Sequence, residues 1–285
     1  DIAILDGKIA AIETRIPSQA KKIIDANQQY VAPGLIDLHT HVYWGGMPLG
    51  INADHHCLAN GVTTVLDAGS TGWRNFPGFN AHVIASSQTR IIPLLHISSI
   101  GLIKSLELED IRHIEYDAAV KMYQQHAELL KGWKIRFASP PNNHVGQNGP
   151  QALRLTYEAA EDTDGLIMVH PKSMSPNFPL PEILKLLRPG DIITHCFSPS
   201  YPLYFPFAEI LTDAGHVSEP VRQAAKRGII FDIGHGSGSF SFETASHAIR
   251  DDFLPTTIST DLHADSLQTA HDLPTTMSKF LALDV

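Results

Sequence analysis

The sequence predicts an α/β protein built on a TIM-like (β/α)8 barrel, with a short stretch of β-structure ahead of it. Three observations predict it. From Val31 onward, short apolar runs alternate with longer segments of helical period, the pattern of βαβ units around a parallel sheet. Eight such runs fit within about 230 residues, close to the usual size of this barrel. No glycine-rich dinucleotide turn follows the first run, which disfavours a doubly wound open sheet.

Residues 1–30 are expected as a partial β-sandwich domain. Ile2–Leu5 and Lys8–Glu13 read as strands around Asp6-Gly7, a hairpin pair, and Lys22–Asp25 reads as a third strand. So few strands make no stable sheet alone. The last predicted helix, Thr275–Leu283, has no closing element after it, so further β-structure from both termini is expected. Residues 31–285 are the predicted barrel. Its strands are expected at Gly34–His41, Val62–Asp67, Ile91–Ile97, Gly132–Phe137, Leu166–His170, Asp191–Cys196, Gly228–Gly234 and Thr256–Asp261. Helices are expected at Ala53–Asn60, Leu106–Leu130, Gln151–Glu161, Pro181–Leu187, Glu219–Arg227 and Ser241–Arg250.

Composition narrows the function. A net charge of -9 argues against nucleic acid or an anionic membrane surface as partner, since both are polyanions. No run of 18 apolar residues is present, so no membrane span is expected. Two cysteines among 285 residues rule out a disulfide framework and suit a reducing cytoplasm. The expected partner is a small-molecule substrate, and a homo-oligomer is compatible with the sequence. Sixteen histidines against 21 Lys plus Arg is an unusual ratio, and histidine is the commonest metal ligand.

Polar residues fall at one end of the predicted strands, where active sites of such barrels form. Strand one ends in His39-Thr40-His41, strand four carries Lys134, strands five and six end in His170 and His195, and strand eight ends in Asp261. Alternation along a strand sends His39 and His41 to the same face, with Ile36 and Leu38 toward the helices. In Trp133-Lys-Ile-Arg-Phe137 the apolar residues share one face, which sends Lys134 and Arg136 into the barrel. A bare ammonium there is costly and would repel a metal ion. Two readings are open for Lys134: a rim lysine pairing a carboxylate, or an amine that takes up carbon dioxide and becomes an anionic carbamate bridging two cations. Asp261 either caps the next helix or ligates an ion and takes a proton from bound water. Arg136 either grips a substrate carboxylate or pairs internally with Asp67 or Asp232. His235, in Gly234-His-Gly-Ser-Gly238, is a candidate substrate contact on a loop where glycines allow close approach, and Ser70 and Ser99 are candidate hydrogen-bond donors.

Pro33-Gly-Leu-Ile-Asp-Leu-His-Thr-His41 resembles the signature of the amidohydrolase superfamily. The order His-x-His, Lys, His, His, Asp is similar to its binuclear carboxylated-lysine subtype. Gly69-Ser70, His96-Ile-Ser-Ser-Ile-Gly101, Lys134-Ile-Arg136 and Asp232-Ile-Gly-His-Gly236 resemble a deacetylase branch often labelled dihydroorotase-like. The resemblance implies a small β-sandwich made from both chain ends. It also implies one divalent ion on His39, His41 and Asp261, a second on His170 and His195, and carboxylated Lys134 between them. Zinc is the default for so histidine-rich a site. The loop Ser139–Gly149, with Pro140-Pro141-Asn142-Asn143, departs from the compact loop expected of the family and leaves substrate preference open. The expected activity is hydrolysis of an amide or ester bond in a small acylated organic acid or amino acid by a hydroxide bridging the metals. The rivals are a cyclic-amide hydrolase of the dihydroorotase or hydantoinase kind and a non-catalytic barrel scaffold.

Overall fold

The computed structural model describes all residues but 18, 104–106, 138–144, 172–177, 200–208 and 284–285, and the side chains of 145–147 are likewise not described. Most of the Ser139–Gly149 loop, including the Pro140–Asn143 run, lies outside the described residues. The chain divides into two compact units, Asp1–Pro33 and Gly34–Val285.

The first unit is built on one antiparallel hairpin, β1 (Ile2–Leu5) and β2 (Lys8–Ile12), joined through Asp6 and Gly7, both at positive φ as a tight two-residue turn requires. Lys22–Asp25 forms no strand.

The second unit is a (β/α)8 barrel. Its strands are β3 (Leu35–Thr40), β4 (Val62–Asp67), β5 (Arg90–Pro93), β6 (Leu95–His96), β7 (Gly132–Arg136), β8 (Leu166–His170), β9 (Ile192–Ile193) and β10 (Ile230–Phe231). All pair in parallel, in the orders β3-β4-β5 and β6-β7-β8-β9-β10. One strand is predicted over Ile91–Ile97, but the structure has β5 and β6 either side of Leu94, whose amide turns to the Asp67 carbonyl. The eighth position forms isolated bridges instead of a strand: Thr257 pairs with Asp232 and Leu262 with Thr40. Asp37 locks this closure, accepting from the Thr260 amide at 3.0 Å and the Thr260 hydroxyl at 2.5 Å. Burial raises the Asp37 carboxyl to about 7, although Thr260 and His39 donors oppose it.

The helices are α1 (Ala53–His56), α2 (Phe76–His82), α3 (Tyr116–Gln125), α4 (Val145–Thr163), α5 (Leu180–Leu186), α6 (Glu219–Lys226), α7 (Phe242–Arg250) and α8 (Leu273–Leu281). Side chains at capping positions start several of them: Asn52 accepts from the His55 amide, Ser241 from Thr244 and Asp272 from Thr275. The main core includes the outward face of β7, where Trp133, Ile135 and Phe137 are buried as the alternation predicts, and Trp133 stacks on Tyr123 of α3 at 5.2 Å. A second, small cluster holds Leu66, Ala68, Leu94, Met168 and Ile192, with Leu38 packed on it. Strict alternation fails on β3, where the register slips between Asp37 and Thr40. Ile36 is therefore exposed and Leu38 joins the small cluster, instead of both facing helices.

Candidate metal centre

The C-terminal ends of the strands bring His39, His41, His195 and Asp261 together. His39 Nε2 and His41 Nε2 each lie 3.3 Å from Asp261 Oδ1, and His195 Nε2 lies 4.0 Å from Oδ2. Ligand atoms of His39, His195 and Asp261 all fall within 4.8 Å of one another. Lys134, fully buried on β7, places Nζ 3.4 Å from His39 Nε2 and 3.2 Å from Met168 Sδ. His170, at the end of β8, reaches the group through a 3.1 Å contact of its Nδ1 with His195 Nε2.

The remaining ring nitrogens fix which atoms face inward. His39 Nδ1 lies 2.8 Å from Thr194 Oγ1, whose hydroxyl donates to Asp232 Oδ2 at 2.8 Å. His41 Nδ1 lies 3.1 Å from Ser70 Oγ, whose hydroxyl donates to Asp67 Oδ2 at 2.7 Å. A hydroxyl that gives its proton to a carboxylate can only accept from the ring, so both imidazoles carry hydrogen on Nδ1 and turn Nε2 toward Asp261. His195 Nδ1 lies 2.6 Å from the Gly234 carbonyl, which also only accepts. The Nε2 atoms of His39, His41 and His195 and the Asp261 carboxylate are therefore gathered in one place. Burial lowers the His39 pKa, and the nearby Lys134 charge adds to this, so its ring stays neutral.

Imidazole nitrogens 3.3 Å from a carboxylate oxygen, gathered from distant segments, suit a cation at their focus. The donor set, imidazole nitrogens backed by outer partners plus a carboxylate, is the chemistry of a divalent-ion site. Local backbone supports the same focus. His195 and Asp261 both sit at positive φ, 62° and 48°, uncommon for residues with side chains. Gly234 is required where the chain passes the rings: a Cβ there would lie 2.2 Å from Thr194 Oγ1 and 3.0 Å from His39 Nδ1.

Other expected contacts have different surroundings. Ser70 sits fully buried behind His41, its hydroxyl engaged with Asp67. Ser99 is buried in the loop after β6, its amide donating to the His113 carbonyl. His235 Nδ1 lies 2.9 Å from the Gly236 carbonyl and its Nε2 lies 2.6 Å from Lys279 Nζ, with the ring stacked on Phe240. Both ring nitrogens thus have partners within the chain. Arg136 pairs internally, but with Glu107 in place of Asp67 or Asp232: Nε donates to Oε1 at 2.9 Å and Nη2 to Oε2 at 2.7 Å. Burial alone would raise the Glu107 carboxyl, but the Arg136 charge, with donors from His96 and Arg136, holds it down at about 2.

Sequence reasoning overlooked Glu107, Thr194 and His263. His263 follows Asp261 by two residues, and its Nε2 lies 3.8 Å from Asp261 Oδ2. The Asp265 amide donates to its Nδ1, so Nε2 carries the hydrogen. The Asp-x-His spacing was the available signal. Thr194 directly precedes His195, and its role shows only once the fold brings its hydroxyl to His39 Nδ1.

A closed parallel barrel with imidazoles and a carboxylate gathered at its strand ends defines the class of barrel metallohydrolases. No family model matches the chain. It is 37% identical over 287 residues to a deacetylase of Agrobacterium fabrum (strain C58), an alignment covering 98% of this chain and 67% of that protein. A crystal structure of a dihydroorotase matches with a TM-score of 0.83 and 38% identity, covering 98% of this chain and 71% of that one. A crystal structure of an adenine deaminase matches with a TM-score of 0.87 and 31% identity, covering 100% and 75% respectively. The chain belongs to the amidohydrolase superfamily, and is a hydrolytic enzyme of its deacetylase-like group.

Proposed function

We propose that this chain is a metal-dependent hydrolase that cleaves an amide or ester bond in a small acylated substrate, as a deacetylase does. The observation that carries the reading is the convergence of Nε2 of His39, His41 and His195 on the Asp261 carboxylate, with the three Nδ1 atoms held by outer partners. His39, His41 and Asp261 would hold one divalent ion, and His170 and His195 a second, with zinc as the metal. Lys134 would join the two as a carbamate formed with carbon dioxide. Burial lowers its amine to about 8, against the opposing charges of Asp261 and Asp232, and the uncharged amine is the form that reacts with carbon dioxide. When bound, the ions supply an acidified water near neutral pH and polarise the substrate carbonyl.

The chain's residues handle the proton and the geometry. Asp261 takes the water's proton on its carboxylate and returns it to the leaving amine or alkoxide. Hydroxyls of Thr194 and Ser70, anchored on Asp232 and Asp67, hold the His39 and His41 rings in one tautomer and one orientation. Opening of a cyclic amide is the second reading, supported by the likeness to the dihydroorotase structure.

Elemental analysis and a substrate panel test both readings. About two zinc ions per chain, with turnover of acyl amino acids or acetylated hydroxy acids, is the expected result. Turnover confined to cyclic imides would replace the first reading with the second. A chain without bound metal and without turnover of acyl substrates, cyclic imides or adenine would overturn both.

A further inference from the structure

A second group of polar side chains joins the loop after β10 to α8. Lys279 of α8 places Nζ 2.6 Å from His235 Nε2 and donates to the Thr269 carbonyl at 2.9 Å. His235 Nδ1 lies 2.9 Å from the Gly236 carbonyl, which also accepts from the Thr269 hydroxyl at 3.0 Å. The imidazole is stacked on Phe240, and Phe240 packs in turn on Phe280 of α8. The ring is thus held on its face and at both nitrogens.

What each atom can do fixes its role. A carbonyl only accepts, so His235 carries its hydrogen on Nδ1. An ammonium only donates, so His235 Nε2 offers its lone pair to Lys279. Two of the three Nζ hydrogens are used on His235 and Thr269, and the third has no acceptor among the described residues. Lys185 meets Glu182 at 2.6 Å, but Lys279 has no carboxylate partner among the described residues. Its side chain is half-buried beside the exposed Met277 and Ser278. Burial lowers the pKa of the Lys279 amine and that of the His235 imidazole.

An amine, a base touching it and a group that orients the base make up the arrangement of an activated nucleophile. We propose that Lys279 is a reactive amine, with His235 as its base, that takes an acyl group from acyl phosphates. The pair carries one positive charge without a carboxylate against it, which favours an anionic donor. One ammonium proton passes to His235 Nε2 and on to solvent. The amine then attacks the acyl carbon, the C–N bond forms, and the C–O bond to phosphate breaks. Phosphate leaves with that electron pair and takes the second proton from nitrogen, giving a neutral amide and hydrogen phosphate. The amide keeps a single N–H, so acylation removes the cation and frees Lys279 from His235 or Thr269. Neither residue is among the proposed metal ligands, and the assignment does not depend on the hydrolase reading.

Acetyl phosphate in excess, added to the full metal-loaded chain, tests the site by peptide mass spectrometry. Lys131, which donates to carbonyls alone, and Lys185 serve as internal references. Lys279 should acetylate about tenfold or more faster than either. In the same chain unfolded in urea, that excess should vanish. His235→Gln keeps an acceptor for Nζ but supplies no base, and should bring Lys279 down to the reference rate while Lys131 and Lys185 are unchanged. Equal rates at the three lysines of the folded wild type overturn the proposal, as does an excess that survives unfolding. A folded His235→Gln chain that keeps the excess in full also overturns it. Should that variant fail to fold, the comparison of folded and unfolded wild type decides.

Discussion

Two buried polar groups stand side by side in this barrel, and they resolve burial in opposite ways. In one, Glu107 meets Arg136 with both carboxylate oxygens engaged, and His96 Nε2 stands 3.3 Å from Oε1. In the other, each imidazole of His39, His41 and His195 has its Nδ1 engaged with an outer partner, while the Nε2 atoms converge on Asp261. The first cluster pairs opposite charges within the protein. The second gathers ligand-type atoms from distant segments at one point. The contrast teaches that burial does not mark a site; what marks it is a set of buried ligand-type atoms, oriented by outer partners, that converge on one point.

Substitutions at the two centres should therefore fail differently. Asp261→Ala removes the proton acceptor but leaves an apolar void that folding tolerates. Turnover should fall about 10³-fold or more while the unfolding midpoint changes little and at least one metal stays bound. Full activity in this variant would remove Asp261 from the mechanism. Glu107→Gln leaves Arg136 charged and mostly buried without a counter-charge, and should destabilise the chain by about 3 kcal/mol in denaturant unfolding. A change under about 0.5 kcal/mol would mean that the pair does not hold the loop after β6 to β7.

The two clusters also differ in how far they can be read from sequence. His39, His41, Lys134, His170, His195 and Asp261 are conspicuous because polar residues end apolar strands, and the periodicity that places them is local. The barrel is legible for the same reason wherever an apolar run is long: β4 and β8 match their predicted spans to the residue. Glu107 is hidden because the stretch predicted as one helix from Leu106 begins its helix only at Tyr116, and the preceding loop folds back onto β7. Helix α2 is hidden because Pro77 and Gly78 read as breakers, although Pro suits a helix's first turn. The slip in β3 is invisible in any alternation, since it arises from how Asp37 and Thr40 bond to neighbouring strands. Only contacts between distant segments carry that information.

Smaller changes sharpen the comparison. Thr194→Val removes the hydroxyl between His39 and Asp232 while conserving shape. The ring then loses its fixed tautomer, and metal affinity should drop about 10- to 100-fold in a competitive chelator titration. Ser70→Ala should do the same through His41. Unchanged affinity in both would mean that the outer hydroxyls do not orient the ligands.

Asp54 separates hydrogen bonding from burial. It accepts from the Gln88 and Thr89 amides and from the Ser87 and Thr89 hydroxyls, a richer set than Glu107 has, yet it lies near the surface. Its slight burial would raise the carboxyl, but these donors win and hold it at about 2 against an ordinary 3.8. The depressed value means that its stabilisation is complete above about pH 4 and disappears as pH falls through 2. Solvent screening keeps it small, so Asp54→Asn should cost on the order of 1 kcal/mol at neutral pH. The gap between variant and wild type should close as unfolding is followed from pH 4 to pH 2. A gap that stays constant over that range would mean that the four donors hold the Ser87–Thr89 turn by shape alone, with the carboxylate charge contributing nothing.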